Sequence, residues 1–424
     1  MGSIGCCKKN IEFMINQNKT IGIFVDSRKR SGGAYQELFY NIKNIKKYNK
    51  ENFKFSIICT SRKLDIKLDE ENIEIHYLSM NAFERYICYL RNHDPFFRRF
   101  KKYSFLRNKF ENFLKRINVD LVYFTAPSQY SLYLEDTKFI IMVPDVALRE
   151  NLEFPEIVGS LSSEFYRKDE ILQKSLPRAL AVITNAEIIK KRISFFYRVL
   201  KERIYVINQQ PSFSVEKFNK IEQADINNFK KLYKLPKNYV FYPAMYLPHK
   251  NHRSVIDAIG ILRFKFGLDF NVIFCGNDIG YLENLKNYVV KKNLKKNVIF
   301  LDFIEDKYLP YFYLHSFALV MPALIGPTNI PPWEAFKMEV PVIYSESDSI
   351  KEILGEAVYY VNPLKPESIA NGIKEIFESN ELKKNLIIKG KKKLNETKAK
   401  NEFKKFFEII KKYLELKKTW ELEN

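Results

Sequence analysis

Short apolar runs rich in β-branched and aromatic residues alternate along the chain with longer stretches in which apolar positions recur at helical spacing. The first run is Ile21–Val25; Phe55–Cys59, Ile73–Leu78, Leu121–Phe124, Phe139–Val143 and Ala181–Thr184 follow. Little polar alternation interrupts them, so each reads as a strand buried on both faces, with amphipathic helices such as Ala34–Ile45 between strands. Strands separated by helices imply parallel sheets. A second series runs through Tyr239–Tyr242, Phe270–Phe274, Val298–Leu301, Ala318–Met321, Val340–Tyr344 and Ala357–Val361. Gln209-Gln210-Pro211-Ser212 and the polar stretch Glu216–Asn228 lie between the two series and make the best linker. The expected fold is therefore α/β, two Rossmann-like doubly wound domains facing a cleft, because such sheets bind ligands at their strand C-termini. Near the end, Phe403, Phe406, Phe407, Ile410 and Leu414 line one helical face.

A chain of 424 residues is too long for one compact core, which agrees with two domains. At 46% hydrophobic and 28% charged residues it is globular in composition, not that of a disordered chain. Lys and Arg outnumber Asp and Glu by 70 to 50, and the resulting +20 invites phosphates, nucleic acid or an anionic membrane face. No apolar run approaches the roughly 20 residues of a membrane span. The first twenty residues lack a signal-type stretch, so a cytoplasmic location is expected. Cys59 and Cys275 sit in strand-like runs as small hydrophobes, and Cys6 and Cys7 have no partner at metal spacing; no metal site is expected.

Three segments carry candidate chemistry. Gly326-Pro327-Thr328-Asn329-Ile330-Pro331-Pro332-Trp333-Glu334-Ala335-Phe336 follows a buried strand and enters a helix. Pro331 and Pro332 suit a first helical turn, and Asn329 is a candidate cap. Free amides there favour an anion, and Glu334 one turn in can accept from a ribose diol. An ordinary Pro-led helix start with an exposed Glu reads equally well. Pro248-His249-Lys250-Asn251-His252 heads the next βα unit, where the Lys250 ammonium can neutralise a diphosphate or simply be a solvated loop lysine. Ser31-Gly32-Gly33-Ala34 stands between the first strand and helix, and its glycines permit a tight turn or a close ligand.

Taken in order and at these distances, the P-H-K-N-H and G-P-T-N-I-P-P-x-E-A-F strings resemble the retaining glycosyltransferases of the GT4 family, GT-B in architecture, in the branch that builds bacterial surface polysaccharides. The resemblance spans nearly the whole chain. It implies an acceptor-side domain at 1–209, a nucleotide-sugar donor domain at 210–398 and a helix at 399–424 crossing back. Glu334 matches the second Glu of the family's pair, while Gly326 stands where the first is expected. Lys250 matches the family lysine; Met245 occupies the arginine position, with Arg253 as a substitute. Val143-Pro144-Asp145 resembles a His-Asp pair with Pro144 in place of His, and Glu153-Phe154-Pro155-Glu156 fits the loop that follows. The resemblance thus assigns Lys250, Glu334 and Asp145 to catalysis. Gly32, Gly33, Gly276, Gly326, Pro327, Thr328, Asn329, Arg253 and His249 go to donor binding.

What this implies is a hexosyltransferase that moves a sugar from a nucleotide-diphosphate sugar to a lipid-linked or other saccharide acceptor, with no cofactor and no metal. No D-x-D occurs, so a magnesium grip on the diphosphate is not expected. The departures at Gly326, Met245 and Pro144 also fit a degenerate relative that binds nucleotide sugar without turnover. Phe96 to Ile117 is basic, carrying Arg98, Arg99, Lys101, Lys102, Arg107, Lys109, Lys115 and Arg116 against one acid, Glu111. Its aromatics form a face suited to anionic lipid, which favours a peripheral position at the inner face of the membrane; Phe100, Leu106, Phe110 and Phe113 as core is the alternative. Nucleic-acid binding is the rival from another class, and the diffuse charge and lack of a recognition motif argue against it.

Overall fold

The computed structural model describes residues 19–26, 41–45, 47–49, 53–61, 73–99, 101, 107–158, 164–218, 223–302, 304–326, 328–399 and 403–420. Two sheets organise the chain. The first has seven strands, β1 (Thr20–Val25), β2 (Lys54–Cys59), β3 (Glu74–Tyr77), β4 (Val119–Phe124), β5 (Lys138–Met142), β6 (Ala181–Thr184) and β7 (Ile204–Val206), ordered β3-β2-β1-β4-β5-β6-β7. The second has six, β8 (Tyr239–Pro243), β9 (Asn271–Cys275), β10 (Val298–Leu301), β11 (Ala318–Met321), β12 (Val342–Ser345) and β13 (Tyr359–Val361), ordered β10-β9-β8-β11-β12-β13. Every pairing is parallel. The order reverses between β1 and β4 and again between β8 and β11, and at such points loops diverge and leave a crevice at the strand C-termini.

The central strands without polar alternation do bury both faces, whereas the edge strand β3, also expected to be buried on both, leaves Glu74 and Tyr77 exposed because no strand covers its outer side. In the first sheet Phe24, Ile58, Val122 and Ile141 join one core, while their neighbours Ile23, Ile57, Leu121 and Ile140 join the other. The second core is closed by the helix Phe403–Lys417, whose Phe406 ring lies 4.9 Å from Tyr123 and whose Phe407 ring stacks at 6.5 Å on Phe53. Lys417 then reaches Asp120 at 2.9 Å.

The basic stretch resolves differently from a lipid-facing helix. In Lys109–Arg116, Phe110 and Leu114 are fully buried, and Phe110 packs 5.6 Å from both Phe24 and Tyr130. Glu111 is buried too, accepting from the amides of Glu135, Asp136 and Thr137 and so fixing the entry to β5. These aromatics are core because the first sheet needs a cover and this helix is that cover. Phe96 on Pro95–Arg99 remains exposed; Phe100, Lys102 and Leu106 lie outside the described residues. Among the described residues no helix is long and apolar enough to cross a membrane.

The expected linker is not solvated. Gln209, Gln210 and Ser212 are buried, and Gln209 accepts from Asn185 at 2.7 Å. Part of the polar stretch beyond it forms the helix Gln223–Leu232.

Candidate functional site

The strand order brings the loop after β8 beside the loop after β11. Tyr242 donates to the Lys250 carbonyl at 2.7 Å, and Leu324 N donates to the His249 carbonyl at 2.8 Å. Asn251, at φ 57°, donates from Nδ2 to the carbonyls of Pro322 (3.1 Å) and Pro363 (2.7 Å). An Asn suits that left-handed position, and its amide spans what the backbone cannot. So held, Lys250 Nζ donates to Asn329 Oδ1 at 3.1 Å. Asn329 in turn donates to the Gly326 carbonyl and, at 2.6 Å, to the Tyr344 hydroxyl.

Asn329 is therefore a bridge and not the helix cap expected of it. The helix Pro331–Lys337 starts on Ile330, in helical backbone conformation and without a side-chain cap bond. Gly326 has φ 91°, a conformation that strains any side chain, so the missing first Glu has a backbone reason.

The first sheet supplies the opposite wall. Asp145 follows β5, its Oδ1 accepting the Ala147 amide at 3.1 Å. Thr328 crosses to donate from Oγ1 to the Pro144 carbonyl at 3.1 Å. Glu156 Oε1 accepts twice from His249, from its backbone N at 2.9 Å and from Nδ1 at 2.5 Å. Burial pushes Lys250 down to about 8, with the charges of Asp145 and Glu156 pulling the other way. Burial, aided by the neighbouring Lys250, pushes His249 down to about 4. The ring is then neutral at pH 7 and donates its Nδ1 proton to Glu156. Asp145, Glu156, His249, Lys250, Gly326, Thr328 and Asn329 thus converge, and the charges of both acids reach the Lys250 ammonium.

Other expected residues stand apart. Glu334 is only 4% exposed, contrary to an exposed Glu; it accepts from the Tyr313 hydroxyl at 2.6 Å and from Ser212 of the crossing segment. Burial raises its carboxyl above the ordinary range, against those donors. Arg253, expected to substitute for the arginine missing at Met245, is exposed near the start of the helix His252–Phe264, its guanidinium 4.3 Å from the Tyr288 ring. Gly276 has a packing reason, since a Cβ there would stand 2.2 Å from the Ala244 carbonyl oxygen. His252 is core, its ring 4.9 Å from both Tyr242 and Phe274. Gly32, Gly33 and Pro327 lie outside the described residues.

Sequence reasoning passed over Glu156, Ser212, Tyr313 and Tyr344 as site residues. Only Glu156 lay near a recognised string, the Glu153–Glu156 loop.

Residues 223–393 match the family described as Glycosyl transferases group 1. The O-antigen chain mannosyltransferase RfbU of Salmonella typhimurium is 30% identical over 221 residues, which is 50% of this chain and 58% of that protein. The capsular polysaccharide biosynthesis glycosyltransferase CapH of Staphylococcus aureus is 26% identical over 66% of this chain and 68% of its own length. Among solved structures, Anabaena Alr3699/HepE in complex with UDP and glucose superposes with a TM-score of 0.68 at 16% identity, over 94% of this chain and 99% of that one. WaaG, a glycosyltransferase involved in lipopolysaccharide biosynthesis, superposes at 0.65 and 12%, over 88% and 95%. These likenesses establish the two-domain GT-B fold.

Proposed function

We propose that this chain, whose residues 223–393 carry a group 1 glycosyltransferase domain, transfers a hexose from a nucleotide-diphosphate sugar to a saccharide acceptor in surface-polysaccharide synthesis. The observation that carries the reading is Lys250 held by Asn329 at the point where the second sheet reverses, facing Asp145 and Glu156 from the first. Mannose is the favoured hexose, since RfbU and the O-antigen chain mannosyltransferase B of Escherichia coli are named for it.

In this reading the C1–O bond of the donor breaks and its electron pair passes to the diphosphate, where Lys250 stabilises the growing charge. The acceptor oxygen bonds to C1 on the same face, and its proton passes to the departing phosphate. Configuration is retained without an enzyme nucleophile and without a metal. Asp145 orients hydroxyls, and Glu334 takes the ribose diol by giving up Ser212. The acceptor is lipid-linked and met at an anionic membrane face through exposed Phe96, beside Arg98 and Arg99.

Thermal unfolding with UDP-, GDP-, ADP- and dTDP-sugars, without metal, tests the donor site. Ligand at a hundredfold excess over Kd adds about 2.7 kcal/mol of stability. One nucleotide should raise the midpoint selectively, and Glu334→Gln should diminish the rise. No rise with any of them defeats the reading.

A further inference from the structure

The region around Lys250 draws its carboxylates from one side. In the second half, position 326 is a glycine at φ 91°, and the carboxylate of Glu334 is occupied by Tyr313 and Ser212. The acids whose charge reaches Lys250 are Asp145 and Glu156, both from the first half. They are not alike. Asp145 caps its own turn through Ala147 N. The Glu156 side chain is 8% exposed, and only Oε1 is used, by His249. Glu156 Oε2 is buried with no hydrogen-bond partner among the described residues. A carboxylate oxygen left so is costly unless a donor arrives, and in a sugar site the arriving donor is a hydroxyl or a water in its place.

We propose that Glu156 supplies, from the first half of the chain, the sugar-binding carboxylate that position 326 lacks: Oε1 fixes His249 and with it the Lys250 loop, while Oε2 accepts a hydroxyl of the transferred hexose. The inference rests on the cleft being a nucleotide-sugar site. It divides donor recognition between the halves: the nucleotide diphosphate is held by Lys250 and its neighbours, the sugar by an acid that meets it only when the halves close. Closure is already seen at this place, since the Glu156–His249 and Thr328–Pro144 bonds join the two.

The test compares the wild-type protein with Glu156→Gln and His249→Ala, using the free nucleotide diphosphate, the donor sugar that is turned over, and that donor deoxygenated at each ring position in turn. Glutamine keeps an acceptor for His249 but loses the charge and the free carboxylate oxygen. Glu156→Gln should bind the free nucleotide diphosphate within about twofold of wild type, yet lose roughly a hundredfold in kcat/KM on the full donor, as expected for a charge-assisted bond. With one deoxy donor the wild type should fall to the level of the variant, the two agreeing within about threefold. His249→Ala should lose activity without that convergence. Glu156→Asp, which keeps the charge but shortens the reach, should resemble Glu156→Gln.

A hundredfold gap that persists on every deoxy donor overturns the hydroxyl contact, and so does a Glu156→Gln variant as active as wild type. Convergence in His249→Ala as well would overturn it by making Glu156 a support for His249 alone. Failure of the wild type to bind or turn over any donor sinks the reading of the cleft itself.

Discussion

Lys250 Nζ lies 3.1 Å from Asn329 Oδ1, so one hydrogen bond joins the loop after β8 to the loop after β11 where the strand order of the second sheet reverses. Neither residue is near the other in sequence. The bond aims an ammonium into the crevice that the sheet opens, and burial leaves that ammonium with a pKa of about 8.

A diphosphate needs the protonated form of Lys250, so affinity should be full below pH 8 and fall above it. The fall should approach tenfold per pH unit until the bound complex itself begins to titrate. Calorimetric titration of the preferred nucleotide diphosphate between pH 6.5 and 9.5 reads this directly. Lys250→Arg stays charged throughout and should flatten the profile. An equally steep profile in Lys250→Arg would assign the titration to another group.

His252 packs among Tyr242, Tyr246 and Phe274, and burial pushes it down to about 3. The unfolded chain therefore takes up a proton near pH 6.5 that the folded one refuses. Stability should fall as the medium is acidified from pH 6.5 toward 3, by up to about 1.4 kcal/mol per pH unit from this ring. His252→Phe should reduce that slope in urea unfolding followed at several pH values; an unchanged slope refutes the assignment.

Restoring the family acid should do harm. Gly326→Glu places a side chain at φ 91° and should cost about 1–3 kcal/mol from backbone strain, with no gain in donor affinity. Gly326→Ala should carry the same backbone cost without the charge. Urea midpoints of the two variants check it, and a stabilised Gly326→Glu with tighter donor binding would contradict the account.

Phe407 is 6% exposed between Phe53, Phe55 and Phe406. Phe407→Ala should lose roughly 3–5 kcal/mol, and the loss should fall on the first sheet. Hydrogen exchange at β1 and β2 should accelerate, while β8 to β12 stay protected. Uniform acceleration would mean that the halves unfold together.

Period and apolarity alone determined the two parallel sheets, because a strand buried on both faces writes its burial into consecutive residues. Twelve of its apolar runs became strands. The three-residue edge strand β7 escaped notice, being too short to leave such a signal. The Pro331-Pro332 helix start was legible too, since proline restricts its own backbone. Lys250 stood out by its place at a strand end and by its family resemblance, although local spacing could not distinguish it from a solvated lysine.

What packs against what is a property of the folded chain. Helical spacing made a single apolar face of Phe110 and Phe113, but only the sheet beneath shows that this face meets Phe24 and Tyr130 and not lipid. The same holds for the acids. Glu334 spends its carboxylate on Tyr313 and on the buried crossing segment, while Glu156 meets His249 from 93 residues away. No local pattern encodes that second meeting, because its partners come from different sheets and touch only where the two halves close.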